Sequence, residues 1–220
     1  GRGKRRVPMS RHRGQPVEAT AEEIAAADAK RNERKVAAKE VFRQWLAKTT
    51  DQSLDADLPS EGLLVHVPLN EGTGNAAKNL TGTPATFPAT GEVLWTPDGK
   101  IGPAPTIKPG ATFDLGANGD FQKDQPFSCG AWIKAGSAGQ PSSIIARMDE
   151  QDSFRGWDLW LSNNALAVHV IESWPESTIK VATRKDVVKP GQWQHVFFSY
   201  DGTAKPDAIK VFVDGVEEKL

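Results

Sequence analysis

Trp193-Gln-His-Val-Phe-Phe-Ser-Tyr-Asp-Gly202, followed shortly by Ile209-Lys-Val-Phe-Val-Asp-Gly215, is the stretch on which the fold turns. In each segment side chains alternate with a period of two, as in a strand that buries one face. Each ends in Asp-Gly, a tight-turn signal, so the two predict adjacent antiparallel strands. Upstream, Phe127-Ser-Cys-Gly-Ala-Trp-Ile-Lys134 alternates in the same way and places Phe127, Cys129, Ala131 and Ile133 on one side. The texture extends back to Glu61 and predicts strands at about 63–68, 93–95, 111–115, 126–134, 142–148, 156–162, 165–171, 178–183, 192–200 and 208–214. Ser162-Asn-Asn-Ala165 has hairpin character. Strands in succession without intervening helices imply an antiparallel sandwich or barrel.

The first quarter of the chain reads differently. Residues 1–50 hold 13 Lys+Arg against 6 Asp+Glu, a net +7, whereas residues 51–220 hold 14 against 22, a net −8. Residues 1–19 form a basic segment (Arg2, Lys4, Arg5, Arg6, Arg11, Arg13) too poor in apolar side chains to fold alone, read as the end of a preceding domain. No aromatic side chain interleaves with these charges, so a nucleic-acid surface is disfavoured. Thr20-Ala-Glu-Glu23 has capping-box spacing and opens a connecting helix over 20–48 free of Gly and Pro. Val41, Phe42, Trp45 and Leu46 make its sticky end. The polar stretch 49–60 is a linker. One cysteine, Cys129, forbids an internal disulfide, and no apolar run approaches the ~18 residues of a membrane span.

The alternating segments resemble the laminin-G-like, or concanavalin-A-like lectin, jelly roll. That family's late hairpin reads Trp-x-His-Val-x-apolar-x-Tyr-Asp-Gly, and an earlier strand reads Phe-Ser-apolar-x-Ala-Trp-apolar-Lys. Gly62-Leu-Leu-Val-His-Val-Pro-Leu-Asn-Glu-Gly72 is similar to the opening strand of such domains, and Gly156-Trp-Asp-Leu-Trp-Leu161 to a middle one. The resemblance implies a mainly β chain. It implies that residues 61–220 form an antiparallel β-sandwich of jelly-roll topology, preceded by a basic tail and one long helix. It also implies further strands after Leu220, and structural positions for Trp132 and Trp193. More broadly, the basic piece, charged helix and sandwich resemble large exported multidomain proteins of planctomycete-type bacteria, in which a c-type cytochrome domain lies elsewhere. That likeness implies an exported, periplasmic or extracellular setting, with flanking domains of the same chain as partners.

Catalysis is disfavoured by the residues themselves. Retaining glycoside hydrolysis needs two carboxylates about 5 Å apart, and no strand carries a Glu-x-Asp-x-x-Glu signature. His12, His66, His169 and His195 are scattered without a nucleophile elbow, and His195 reads as a hydrogen-bonded structural histidine. No His-x-His or Cys spacing suits zinc. Calcium is the metal that the resemblance implies. Its candidate ligands are Asp149 and Asp152, with Asp158 and Asn163 behind them, although no spacing places them.

Sugar recognition needs exposed aromatic faces flanked by polar side chains. Trp174, in Ile171-Glu-Ser-Trp-Pro-Glu-Ser177, falls in a turn and is the leading candidate. Period-two alternation puts Trp157 and Trp160 on opposite faces of one strand, so one of them faces outward. Arg147 and His169 are candidate polar contacts. The expectation is a non-catalytic module recognising a polysaccharide or glycoprotein. Its rivals are a sandwich that organises neighbouring domains and, less favoured, a glycoside hydrolase.

Overall fold

A computed structural model describes residues 20–48, 60–136 and 141–220. The basic segment and nearly all of the linker expected from the sequence lie outside the described residues. The chain divides into two compact units, Gly1–Glu61 and Gly62–Leu220.

In the first unit, helix α1 spans Ala21–Lys48. The Thr20 hydroxyl accepts from the Glu23 amide at 3.2 Å while the Glu23 carboxylate accepts from the Thr20 amide at 2.8 Å, a reciprocal capping box. Asp28–Arg31 (3.0 Å) and Glu40–Arg43 (2.8 Å) pair along its surface, each worth a few tenths of a kcal/mol. Phe42 and Trp45 stack at 5.6 Å. Among the described residues no helix is long and apolar enough to cross a membrane.

The second unit opens with short strands β1 (Ala76–Lys78), β2 (Thr86–Thr90), β3 (Leu94–Thr96), β4 (Ala104–Thr106) and β5 (Thr112–Phe113). Longer ones follow: β6 (Phe127–Lys134), β7 (Ser142–Asp149), β8 (Arg155–Ser162), β9 (Ala165–Ser173), β10 (Ser177–Ala182), β11 (Trp193–Tyr200) and β12 (Ile209–Val213), then β13 (Val216–Glu217). Two four-stranded antiparallel sheets dominate, ordered β10-β9-β8-β7 and β13-β12-β11-β6.

Register explains why the alternating segments pack. Phe198 lies opposite Val211 and Cys129, and Tyr200 opposite Ile209 and Phe127, so one face of that sheet is a continuous apolar surface. On the other sheet Leu159 lies opposite Val168, and Trp157 opposite Val170. The two faces meet: Phe127 sits 5.0 Å from Trp157 and 5.5 Å from Phe198. Leu159, Leu166, Val168, Val196, Phe198 and Val211 are fully buried there, each stabilising the fold by about 1.5–3 kcal/mol relative to exposure. The Asn163-Asn164 hairpin forms with φ of +49° and +66°, closing on Ser162 opposite Ala165.

Two expectations differ. Residues 63–68 form no ladder; they are held by single bonds, Leu80 N to His66 O (2.8 Å) and Thr81 Oγ1 to Leu64 O (3.0 Å). Conversely β1, β2 and β4 are strands that the sequence did not suggest. Ala-Ala-Lys, Thr-Phe-Pro-Ala-Thr and Ala-Pro-Thr have weak strand propensity, and proline removes a ladder donor.

Candidate functional site

The side chains best suited to hold a ligand collect at one end of the sandwich. The β7–β8 turn starts at Asp149, whose Oδ1 accepts from the amides of Gln151 (2.9 Å) and Asp152 (3.2 Å). It closes through Arg155 N to Asp152 O at 2.9 Å. Between them Ser153 and Phe154 adopt left-handed φ of +50° and +59°, a conformation that costs a bulky residue on the order of 1–3 kcal/mol. Phe154 is 42% exposed. The Trp174 amide donates to Ser153 O at 2.8 Å, tying the β9–β10 turn to the β7–β8 turn. Trp174 is 46% exposed. Two aromatic side chains are thus presented to solvent from turns joined through their backbones.

The same turns and the 116–125 loop carry linked polar groups. Glu172 accepts from Lys123 Nζ and from Ser177 Oγ, the latter at 2.9 Å. The Lys123 ammonium and the Ser177 hydroxyl hold the Glu172 carboxyl below the usual carboxylate range, and the same contact raises the pKa of Lys123. Asp120 lies 3.5 Å from Arg147 Nε and 3.6 Å from Arg155 Nη1, and Arg155 Nη2 donates to Gln122 Oε1 at 2.9 Å. The 116–125 loop is pinned from below. Trp157 Nε1 donates to Gly119 O at 2.7 Å, and the Tyr200 hydroxyl donates to Lys123 O.

The expected binding residues divide among three places. Trp174 and Arg147 reach this rim, Arg147 also donating to Gly116 O at 3.3 Å. Trp157 does not: it is 5% exposed and faces the core, which corrects its place among the ligand contacts. Trp160 and His169 lie on the outward face of the β7–β10 sheet, away from the rim. There His169 Nδ1 is 2.6 Å from Asp158 Oδ1, and Asp158 is buried. Phe154, Lys123, Glu172, Arg155 and Asp120 were not anticipated. They come from different turns, and no spacing along the chain links them.

The calcium candidates do not converge. Asp149 and Asp152 belong to the rim turn, Asp158 holds His169 on the sheet face, and Asn163 occupies the β8–β9 hairpin, at the far end of that ladder. Asp149 Oδ1 is engaged by two amides. Among the described residues no group of three or more His, Cys, Asp or Glu is placed to hold a metal ion. A calcium ion takes six to eight oxygen ligands, and this donor set does not fit it.

A second aromatic surface corrects another expectation. Trp132 is 45% exposed on the outward face of the β6–β11–β12 sheet, where its ring lies 5.4 Å from His195 and under Lys100 Nζ at 4.3 Å. His195, Phe197 and Phe212 continue the row at 6.3 and 5.9 Å. Trp193 is half-buried. The signal was present: alternation that turns Phe127, Cys129, Ala131 and Ile133 inward must turn Trp132 outward.

The fold agrees with a comparison to known families. A family model described as the concanavalin A-like lectin/glucanases superfamily matches residues 110–219, half of the chain, and covers β5 to β13. A search of curated proteins finds no match. With both four-stranded sheets inside the matched region, the chain belongs to the concanavalin A-like lectin/glucanase superfamily.

Proposed function

We propose that the sandwich is a non-catalytic module that binds polysaccharide or glycoprotein glycans at the rim, as part of a larger exported protein. The observation that carries this reading is the presentation of Trp174, braced through its backbone, on a turn that also carries the hydrogen-bonding side chains Glu172 and Ser177. An aromatic face flanked by polar groups is what a sugar ring and its hydroxyls require. The state of Glu172 argues against a general-acid role for that carboxylate. A general acid needs its pKa raised, whereas Glu172 is pulled the other way by Lys123 and Ser177. Asp120 is shared between two arginines.

Affinity electrophoresis of the 220-residue chain through gels containing soluble glycans tests the proposal. Retardation by a glycan class, lost in Trp174→Ala, is the expected result. Retardation that persists unchanged in Trp174→Ala would overturn the placement at the rim.

A second reading has its own support. The row Trp132–His195–Phe197–Phe212 is an aromatic sheet face of the kind that protein partners cover, which favours a role in organising flanking domains. Trp132→Ser would then disturb assembly with those domains and leave glycan retardation unchanged.

A further inference from the structure

We infer that the rim discriminates by charge, accepting uncharged glycans and rejecting sulfated or carboxylated ones; this rests on the rim reading above. The rim segments 120–125, 147–155 and 172–177 carry three cations, Lys123, Arg147 and Arg155, against seven acids, a net −4. All three cations are already paired with acids of the rim. Lys123 is bound to Glu172, and Arg147 and Arg155 share Asp120. Two anions bind these three cations, and the remaining acids are Asp124, Asp149, Glu150, Asp152 and Glu176.

Their positions matter more than their number. Glu172 and Glu176 flank Trp174 in sequence, and Asp152 and Arg155 flank the Ser153-Phe154 pair. Glu150, Asp152 and Glu176 are exposed. A sugar resting on Trp174 would lie within a Debye length of these carboxylates, about 8–10 Å at moderate salt. A sulfate or uronate on that sugar would meet like charge. To gain a cation it would have to displace Glu172 from Lys123 or Asp120 from the arginines, exchanging one ion pair for another. Neutral hydroxyls meet no such barrier, because the Ser177 hydroxyl and the Gln122 amide can accept or donate hydrogen bonds. Specificity here is the presence of repulsion against the wrong ligand as much as attraction to the right one.

The test uses matched glycans differing only in charge: dextran against dextran sulfate, and hydroxyethyl- against carboxymethylcellulose, in affinity gels with the 220-residue chain. For whichever backbone retards the protein, the anionic member is expected to bind at least about tenfold more weakly. In the double variant Glu150→Lys, Glu176→Lys, both sites exposed, retardation by the anionic member is expected to rise and by the neutral member to stay unchanged. Raising the salt should narrow the gap in the parent. Equal or tighter binding of the anionic member overturns the charge discrimination, while loss of that binding in Trp174→Ala would leave the rim reading standing. Absence of retardation by every glycan overturns both.

Discussion

Trp157→Phe separates the two tryptophans that the strand pattern left undecided, and its effect follows from the geometry. The indole is 5% exposed, lies 5.0 Å from Phe127 and 5.9 Å from Phe198, and donates at 2.7 Å to Gly119 O. Phenylalanine keeps the six-membered ring and its aromatic neighbours but removes the donor and the pyrrole part of the ring. A buried carbonyl left without its partner costs about 1–3 kcal/mol; Gly119 is half-buried, so water reaches it and about 1 kcal/mol applies. The vacated volume adds about 1–2 kcal/mol, well short of the ~3–5 kcal/mol of full truncation to alanine. The sum, about 2–3 kcal/mol, lowers the melting temperature of a unit this size by about 4–12 °C. Urea unfolding followed by far-ultraviolet circular dichroism reads it directly. Trp174→Ala in the same assay should stay within about 0.5 kcal/mol of the parent, because its ring leaves no core void. A parent-like midpoint for Trp157→Phe would refute the account of this tryptophan as the anchor of the 116–125 loop.

Three further outcomes follow from other sites. Because Lys123 and Ser177 lower the Glu172 pKa from 4.5, the contribution of this group is present above that pH and is lost as the pH falls through the folded-state value. Glu172→Gln should therefore be less stable than the parent near neutrality, with the difference shrinking as the pH falls below 4.5 and in high salt; a pH-independent difference would contradict the assignment. Gly156 has φ of +135°, and a Cβ there would lie 1.8 Å from Arg147 O. Gly156→Ala should cost at least about 3 kcal/mol in urea unfolding, and a small effect would show that the Met148–Gly156 register is not as described. Burial pushes the Cys129 thiol above its usual range, so native protein should resist a thiol reagent such as DTNB and react promptly in urea; rapid reaction of the folded chain would place this side chain outside the core.

By itself the sequence determined the architecture of the second unit and the helix before it. Alternation in Phe127–Lys134, Trp193–Tyr200 and Ile209–Val213 specifies half-buried strands, Asn163-Asn164 specifies a hairpin, and Thr20-x-x-Glu23 specifies a helix start. All are local, written within a few residues, and the observed registers follow them. The same alternation already held the outward orientation of Trp132. It was obscured by a family-based expectation that large aromatics at that position are structural. The weak early strands were not legible, because β1, β2 and β4 owe their pairing to neighbours rather than to propensity. The rim was legible only in part, as Trp174 and Arg147, with Asp149 and Asp152 of its turn expected as metal ligands instead. Only the tertiary structure decided which of Trp157 and Trp160 faces the core, since alternation sets opposite faces without saying which one meets the second sheet. Tertiary structure alone also joined Ser153 to Trp174 across 21 residues of sequence and Lys123 to Glu172 across 49. A site assembled from three turns depends on where the sheets bring their ends, and that is a property of packing rather than of any one segment.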